Sequence, residues 1–442
     1  MTGASGAARQ RAALAATGLA LSLVVSGCGA GSTSQSATPR RASAPATSTH
    51  GGQVRFEPTP ADFRQVEQLM ARRAKALMQH DEVGYLATVD HQQPRLVRQQ
   101  RTLYANIVQL PLASLSYGVD PSASLVPAQV PGDDPVLHPA VVEHLKLIRT
   151  FDRPVSNPVD LTFVRRHGHW LLGSESEAKA ADHFDTPQER PWYGVPIAAQ
   201  QVGSMTVLVD RSQAGDLSGL STAVQDDIAY DAHLLGVPAS SAILVDATTN
   251  GLSVNFSSLS QEEAAAVTFG VTSTDDLGEQ QTGLAGMVIK VNPHTVDQVV
   301  HDEGIMRHEL THYLLRQFSS ALPQWLSEGV AAWVQFYPDD FSQWRVPADL
   351  YGRLMRADHT LPIVGLFDED PSLNYPISQA AVAWLVELDG VAKLLDLMRA
   401  YQSQYAGADV DALTPKLLRQ VYGVSPTQVT DGAWGLLAQF DH

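Results

Sequence analysis

Cysteine is almost absent from this 442-residue chain; the one present is Cys28. No intrachain disulfide can form, so the fold must rest on packing and hydrogen bonding. Basic residues are scarce as well, with 30 Lys plus Arg against 47 Asp plus Glu, for a net charge of −17. So acidic a chain lacks the positive surface with which nucleic-acid binders neutralise phosphates, and no nucleic-acid partner is expected. Apolar residues make up 44% and charged residues 17%. That balance excludes a wholly disordered chain, a collagen-like repeat and a multi-span membrane protein. The length leaves room for two or three domains.

The opening stretch MTGASGAARQRAALAATGLALSLVVSGCGA has the parts of an export signal. Arg9 and Arg11 supply the positive end, and Ala12 to Val25 form an apolar run too short for a comfortable transmembrane span. The run ends in Val25-Ser26-Gly27-Cys28, which resembles the bacterial lipobox, with Val25 in place of the commoner leucine. The resemblance implies cleavage after residue 27 and lipidation of Cys28 by a diacylglyceryl group, usually with a third fatty acyl chain. Two or more chains meet the requirement for stable anchoring, so the membrane becomes an expected partner, met from its extracytoplasmic face. Residues 28–59, rich in Ser, Thr, Ala, Gly and Pro without hydrophobic period, are expected to form a flexible tether.

An α+β fold in two parts is expected beyond the tether. In residues 60–190, Phe63, Val66, Met70, Ala74 and Leu77 recur at helical spacing between Ala61 and His80, and a second periodic stretch covers Arg98 to Leu110. Strand patterns cover Leu112 to Val119 and Val141 to Phe151, the latter ambiguous with helix. Two more, Asp160 to Arg165 and His169 to Gly173, flank a hairpin turn at Arg166-His167-Gly168. Helix first and hairpin later, with HDEVGYLATVD and DLTFVRRHGHWLLGSES, resembles the nuclear-transport-factor-like (cystatin-like) cone, in which helices lie on a curved antiparallel sheet. Trp170 reads as a core aromatic.

Phe184 to Pro196, with three prolines and a glycine, reads as a junction. In residues 197–442, strands are expected at Ser204–Asp210, Ser241–Asp246 and Gly286–Asn292, a helix at Leu217–Leu235, and the start of a short helix at Gln261–Ala266. Beyond His301 the pattern is almost wholly helical.

His308-Glu309-Leu310-Thr311-His312 matches HExxH. At helical pitch the two histidines lie about 40° apart on one face, and Glu309 projects beside them. Apolar residues on several sides make the helix a buried one, where two histidines and a carboxylate require a partner; a divalent cation supplies it. Glu328 follows sixteen residues after His312, in LPQWLSEGVAAW. Pro323 suits the first turn of a new helix, and Gly329 allows a neighbouring helix to approach. Two antiparallel helices would bring Glu328 to His308 and His312, leaving an open fourth position as in catalytic zinc sites.

This constellation resembles the gluzincin metallopeptidases of the MA clan. The resemblance implies a thermolysin-like domain with a mixed sheet and a helical C-terminal lobe, zinc as cofactor, and a peptide or protein substrate. It further implies peptide-bond hydrolysis by attack of a zinc-bound water, with Glu309 accepting the proton. The strand Met287–Asn292 is implied to lie at the cleft edge, beside extended substrate. NYPISQAAVAWLVELDG resembles the family's Y-x-x-x-Q-A helix with a glycine stop, and implies Tyr375 as oxyanion donor, with Tyr351 as competitor. Three departures separate the chain from thermolysin and the aminopeptidases. The interval from His312 to Glu328 is shorter, position 332 is Ala where thermolysin has a carboxylate, and no Gly-x-Met-Glu-Asn signature precedes the zinc helix. His301 falls on the same helical face as His308, two turns earlier, as a neighbour rather than a ligand. His294, His359 and His442 have no motif around them. The alternative left open is a non-catalytic envelope lipoprotein that binds a ligand or protein through the cone.

Overall fold

The computed structural model describes residues 56–124, 134–177, 190–250, 265–277, 280–301, 303–339, 341–343, 346–363, 367, 370–405, 407 and 409–440. The export signal, Cys28, most of the tether, residues 184–189 of the junction, residues 261–264 and His442 lie outside them. No helix among the described residues is long and apolar enough to cross a membrane.

The chain is α+β. It opens with α1 (Pro60–Met78), α2 (Glu82–Leu86) and α3 (Pro94–Ile107). Thr59 caps α1 by accepting from the Asp62 backbone N–H while the Asp62 carboxylate returns the bond, and Pro60 occupies the first turn. The periodic face Val66, Leu69, Met70 and Leu77 is buried. An antiparallel sheet follows, with β1 (Leu112–Ser124), β2 (Val136–Leu137), β3 (Pro139–Leu147), β4 (Val155–Arg166) and β5 (His169–Glu177). Both β3 and the short β2 pair along one side of β4, and β5 pairs along the other. Between β4 and β5 the turn is His167-Gly168, both at positive φ (50° and 84°), the two-residue hairpin geometry that matches strand twist. Trp170 is a core aromatic, 3% exposed, with its indole N–H donated to the Asp62 carboxylate.

The second sheet runs β6 (Ile197–Val202), β7 (Met205–Asp210), β8 (Ile243–Ala247), β10 (Gln281–Val291), β9 (Ala266–Thr274) in spatial order. The β7–β8 and β8–β10 pairs are parallel and the two outer pairs antiparallel. Helix α4 (Leu217–Leu235) makes the crossover between β7 and β8 and ends at Gly236 in the left-handed conformation. Strand period 2 sorts the side chains to two cores. Val207, Val245 and Ile289 pack with the helices, whereas Leu208, Leu244 and Val288 join Leu77, Tyr85 and Ile107 of the N-terminal part. The sheet is thus covered on both faces, which is why its inner strands read as unbroken apolar runs.

The junction is tied down from both sides. Asn106 donates to the carbonyls of Trp192 and Val195, and Asn250 donates to those of Pro191 and Val195.

The helical part comprises α5 (Val296–His301), α6 (Glu303–Leu314), α7 (Gln324–Phe336), α8 (Ala348–Leu354), α9 (Pro371–Gln404), α10 (Val410–Tyr422) and α11 (Pro426–Leu437). Gly390, the expected stop, breaks α9 with φ 77° and ψ 170°, after which the chain re-enters helix.

Three expectations need correction, and one strand was missed. Ala266 opens strand β9 rather than a helix: the preceding Gln-Glu-Glu-Ala run has high helix propensity, but Val267 to Thr274 is rich in β-branched residues. Strand β6, built of IAAQQV, is an edge strand without a strong β pattern and was not anticipated. The expected strand Met287–Asn292 falls at the end of β10, which stops at Val291 and is interior to the sheet, so the edge on that side is β9. Pro323 sits at the N-cap of α7, just before its first turn.

Candidate metal centre

Helices α6 and α7 pack side by side, joined by residues 315–323. One helical turn separates His308 from His312, so both rings point the same way, 5.0 Å apart between centroids. Glu328 comes from the first half of α7. Next to it, Gly329 lets α7 lie against α9: a Cβ at that position would sit 2.5 Å from the Ser378 carbonyl oxygen. The neighbour predicted for Gly329 is therefore α9.

The three side chains converge. His308 Nε2 and His312 Nε2 are 3.3 Å apart, and each lies 3.4 Å from Glu328 Oε2. Among the described residues this is the one group of three His, Cys, Asp or Glu side chains that could hold a metal ion. His308 and Glu328 are 1% and 0% exposed, while His312 is half-buried. A tetrahedral ion with bonds of about 2.0–2.1 Å has ligand-to-ligand edges of about 3.3–3.4 Å, so the donor triangle fits a zinc-sized cation.

The electrostatics favour positive charge at the centre of the triangle. Burial alone would raise the Glu328 pKa, but the two imidazoles outweigh it and hold the carboxyl well below its ordinary range. Burial opposes a charged His312, yet the facing Glu328 carboxylate raises its pKa overall. Two imidazole nitrogens and a carboxylate oxygen are all acceptors when deprotonated, and only a proton or a cation between them relieves their mutual repulsion.

Glu309 is buried beside the triangle, and its Oε2 accepts a 2.7 Å hydrogen bond from the Thr268 hydroxyl on edge strand β9. The same hydroxyl lies 3.0 Å from the Glu309 carbonyl oxygen. Burial raises the Glu309 pKa, with the two histidines and Thr268 pulling the other way. Tyr375, near the start of α9, has its ring 6.2 Å from that of His308 and edge-on to Phe367 at 5.1 Å. Tyr351 lies on α8, half-buried against the helical core. His301 ends α5 and is exposed, its Nδ1 2.7 Å from the Asp297 carbonyl, apart from the triangle. His294 and His359 lie elsewhere, His359 stacked on Trp434 at 4.4 Å.

Two residues at the site escaped sequence reasoning. Gln335 Oε1 lies 3.1 Å from His308 Nδ1. It stands seven residues after Glu328, on the same face of α7, so helical spacing alone could have flagged it. Thr268 carried no signal, because its strand was not recognised. No protein-family model and no curated protein matches the chain.

Proposed function

We propose that the chain is a zinc-dependent metallopeptidase, held at the extracytoplasmic face of a membrane by lipid on Cys28. The observation that carries this reading is the triangle of His308, His312 and Glu328, with the Glu309 carboxylate buried beside it. The donor set of two neutral imidazoles and one carboxylate is that of catalytic zinc, which keeps a position open. The mixed sheet with α6, α7 and α9 behind it supports the gluzincin resemblance. Helices α1 to α3 on an antiparallel sheet support the cone.

A zinc ion at this site would supply Lewis acidity and make water acidic enough to act as a nucleophile near neutral pH. The chain's own groups divide the remaining work. Glu309 accepts the proton from the attacking water and passes it to the leaving amine. Thr268 holds one Glu309 oxygen, which leaves the other to meet the water. Tyr375, against the His308 ring, donates to the oxygen on which negative charge grows. Edge strand β9 offers backbone N–H and C=O groups to an extended peptide, whose added strand would lie beside Thr268 and hence beside Glu309. A purely ligand-binding lipoprotein would give Glu309 no task.

The decisive experiment measures zinc content and peptide hydrolysis together in the full chain and in Glu309→Gln. One zinc per chain is expected in both, with hydrolysis lowered by about 10²–10⁴-fold in the variant. A zinc-loaded parent that cleaves nothing in a broad peptide library, or a variant as active as the parent, refutes the peptidase reading. Membrane fractionation of Cys28→Ser tests the anchor separately: an unchanged membrane fraction refutes it.

A further inference from the structure

His308 Nε2 faces His312 and Glu328 at 3.3 and 3.4 Å. An imidazole nitrogen binds a cation only through its lone pair, so the ring proton of a neutral His308 must sit on Nδ1. Nδ1 faces Gln335 Oε1 at 3.1 Å, an ordinary N–H to carbonyl separation. The ring therefore donates and the amide oxygen accepts. Gln335 and Glu328 lie two turns apart on one side of α7. A single helix thus brings a charged ligand and a neutral acceptor to the same seam with α6. Ala332, between them, has no group that could orient the ring.

We propose that Gln335 is the positioning residue of the metal centre. It fixes the tautomer and ring plane of His308 and, being uncharged, leaves Glu328 as the only charged ligand of a divalent ion. This rests on the metal reading of the triangle but not on any hydrolytic activity. Groups that orient metal-bound histidines set affinity and ligand basicity. A carboxylate in this position would bind the imidazole proton more strongly and hold the ion more tightly. The neutral amide gives a weaker hold and a more electrophilic ion.

The test uses the purified full chain and two variants, Gln335→Leu and Gln335→Glu. Zinc dissociation constants are measured by competition with a chromophoric chelator, and the visible spectrum is recorded after loading with cobalt(II). Gln335→Leu is expected to weaken zinc binding by about 10–100-fold and to change the cobalt spectrum. Gln335→Glu, which keeps an acceptor oxygen, is expected to bind at least as tightly as the parent. Parent-like affinity and spectrum in Gln335→Leu would overturn the proposal. So would a Gln335→Glu chain that loses zinc as readily as the leucine variant, because side-chain packing rather than the acceptor would then be at work. Should Gln335→Leu fail to fold in metal-free thermal unfolding, the direction of the change in Gln335→Glu decides alone. A parent that takes up neither metal overturns this proposal and the metal site together. A parent that binds zinc yet cleaves no peptide removes only the peptidase reading.

Discussion

Beneath the N-terminal sheet, Arg190 lies 3.2 Å from each Glu143 oxygen, through Nε and a terminal nitrogen, and 3.0 Å from Glu175. Trp192 donates to Glu143 as well, and Arg73 reaches Glu175, Tyr85 and Gln100. Between α6 and α7, by contrast, two imidazoles and a carboxylate face one another at 3.3–3.4 Å. Both clusters are buried, so both suffer the desolvation that makes an uncompensated charge costly. In the first, donors meet acceptors and the positive and negative charges balance within the protein. In the second, three groups that are all acceptors when deprotonated meet, and balance calls for a proton or a cation between them. Burial alone therefore does not separate the two clusters; the match or mismatch of donors and acceptors does.

The largest effect is expected from breaking the balanced cluster. Arg190→Leu leaves Glu143 buried without its bidentate partner and should destabilise the fold by about 3–5 kcal/mol in urea denaturation. The cluster belongs to the N-terminal sheet and contributes no ligand to the triangle, so zinc stoichiometry in the folded fraction should remain unchanged. Loss of zinc with little loss of stability would invert the comparison.

A third buried place meets the same electrostatic problem by neutralisation. Asp231 on α4 is fully buried, and among the described residues neither of its oxygens accepts a hydrogen bond. Burial, reinforced by Asp227 one turn earlier and opposed by Arg307, pushes its pKa up to about 9. Between the unfolded value near 3.8 and that figure, the folded chain keeps a proton that the unfolded chain releases. This contribution to stability is fully present below pH 4 and is lost as pH rises toward 9. Asp231→Asn lacks that slope. Relative to the parent it should gain about 3 kcal/mol of stability between pH 6 and pH 8, where each pH unit counts in full. Denaturant curves at both pH values check this, and an equal difference at the two would show that Asp231 is charged throughout.

How much of this was legible in the sequence follows from how local each signal is. Helical spacing put His308, Glu309 and His312 on one helix, and the Trp-Leu-Ser-Glu-Gly run on the next helix, joined by a short connection, allowed Glu328 to be expected beside them. Leu217–Leu235 could be read to the residue because an apolar period ended at Gly236. The edge strands β6 and β9 were not legible. IAAQQV has little β propensity, and β9 follows a run that favours helix. Nor could the N-terminal ion cluster be foreseen, since Arg73 and Glu175 stand about a hundred positions apart and no local pattern marks which charged residues turn inward.

The smallest expected effect sits where the two kinds of cluster meet. Glu309 is a buried carboxylate like Glu143, but its hydrogen-bond donor is the neutral Thr268 hydroxyl rather than a guanidinium. A guanidinium there would stabilise the carboxylate too well for it to accept a proton during reaction, whereas a hydroxyl can aim it while leaving it basic. Thr268→Val keeps the shape and removes that bond. If Thr268 only aims the base, kcat on a peptide substrate should fall by roughly tenfold, from a hydrogen bond to charge contributing about 1.5 kcal/mol. KM and zinc content should hardly move, and Thr268→Ser should restore most of the rate. A rise in KM with kcat unchanged would place Thr268 in substrate binding along β9. Loss of zinc would mean that strand and metal helix are coupled more tightly than one hydroxyl implies. Either result would move Glu309 out of the class of tunable groups and into that of structural ones such as Glu143.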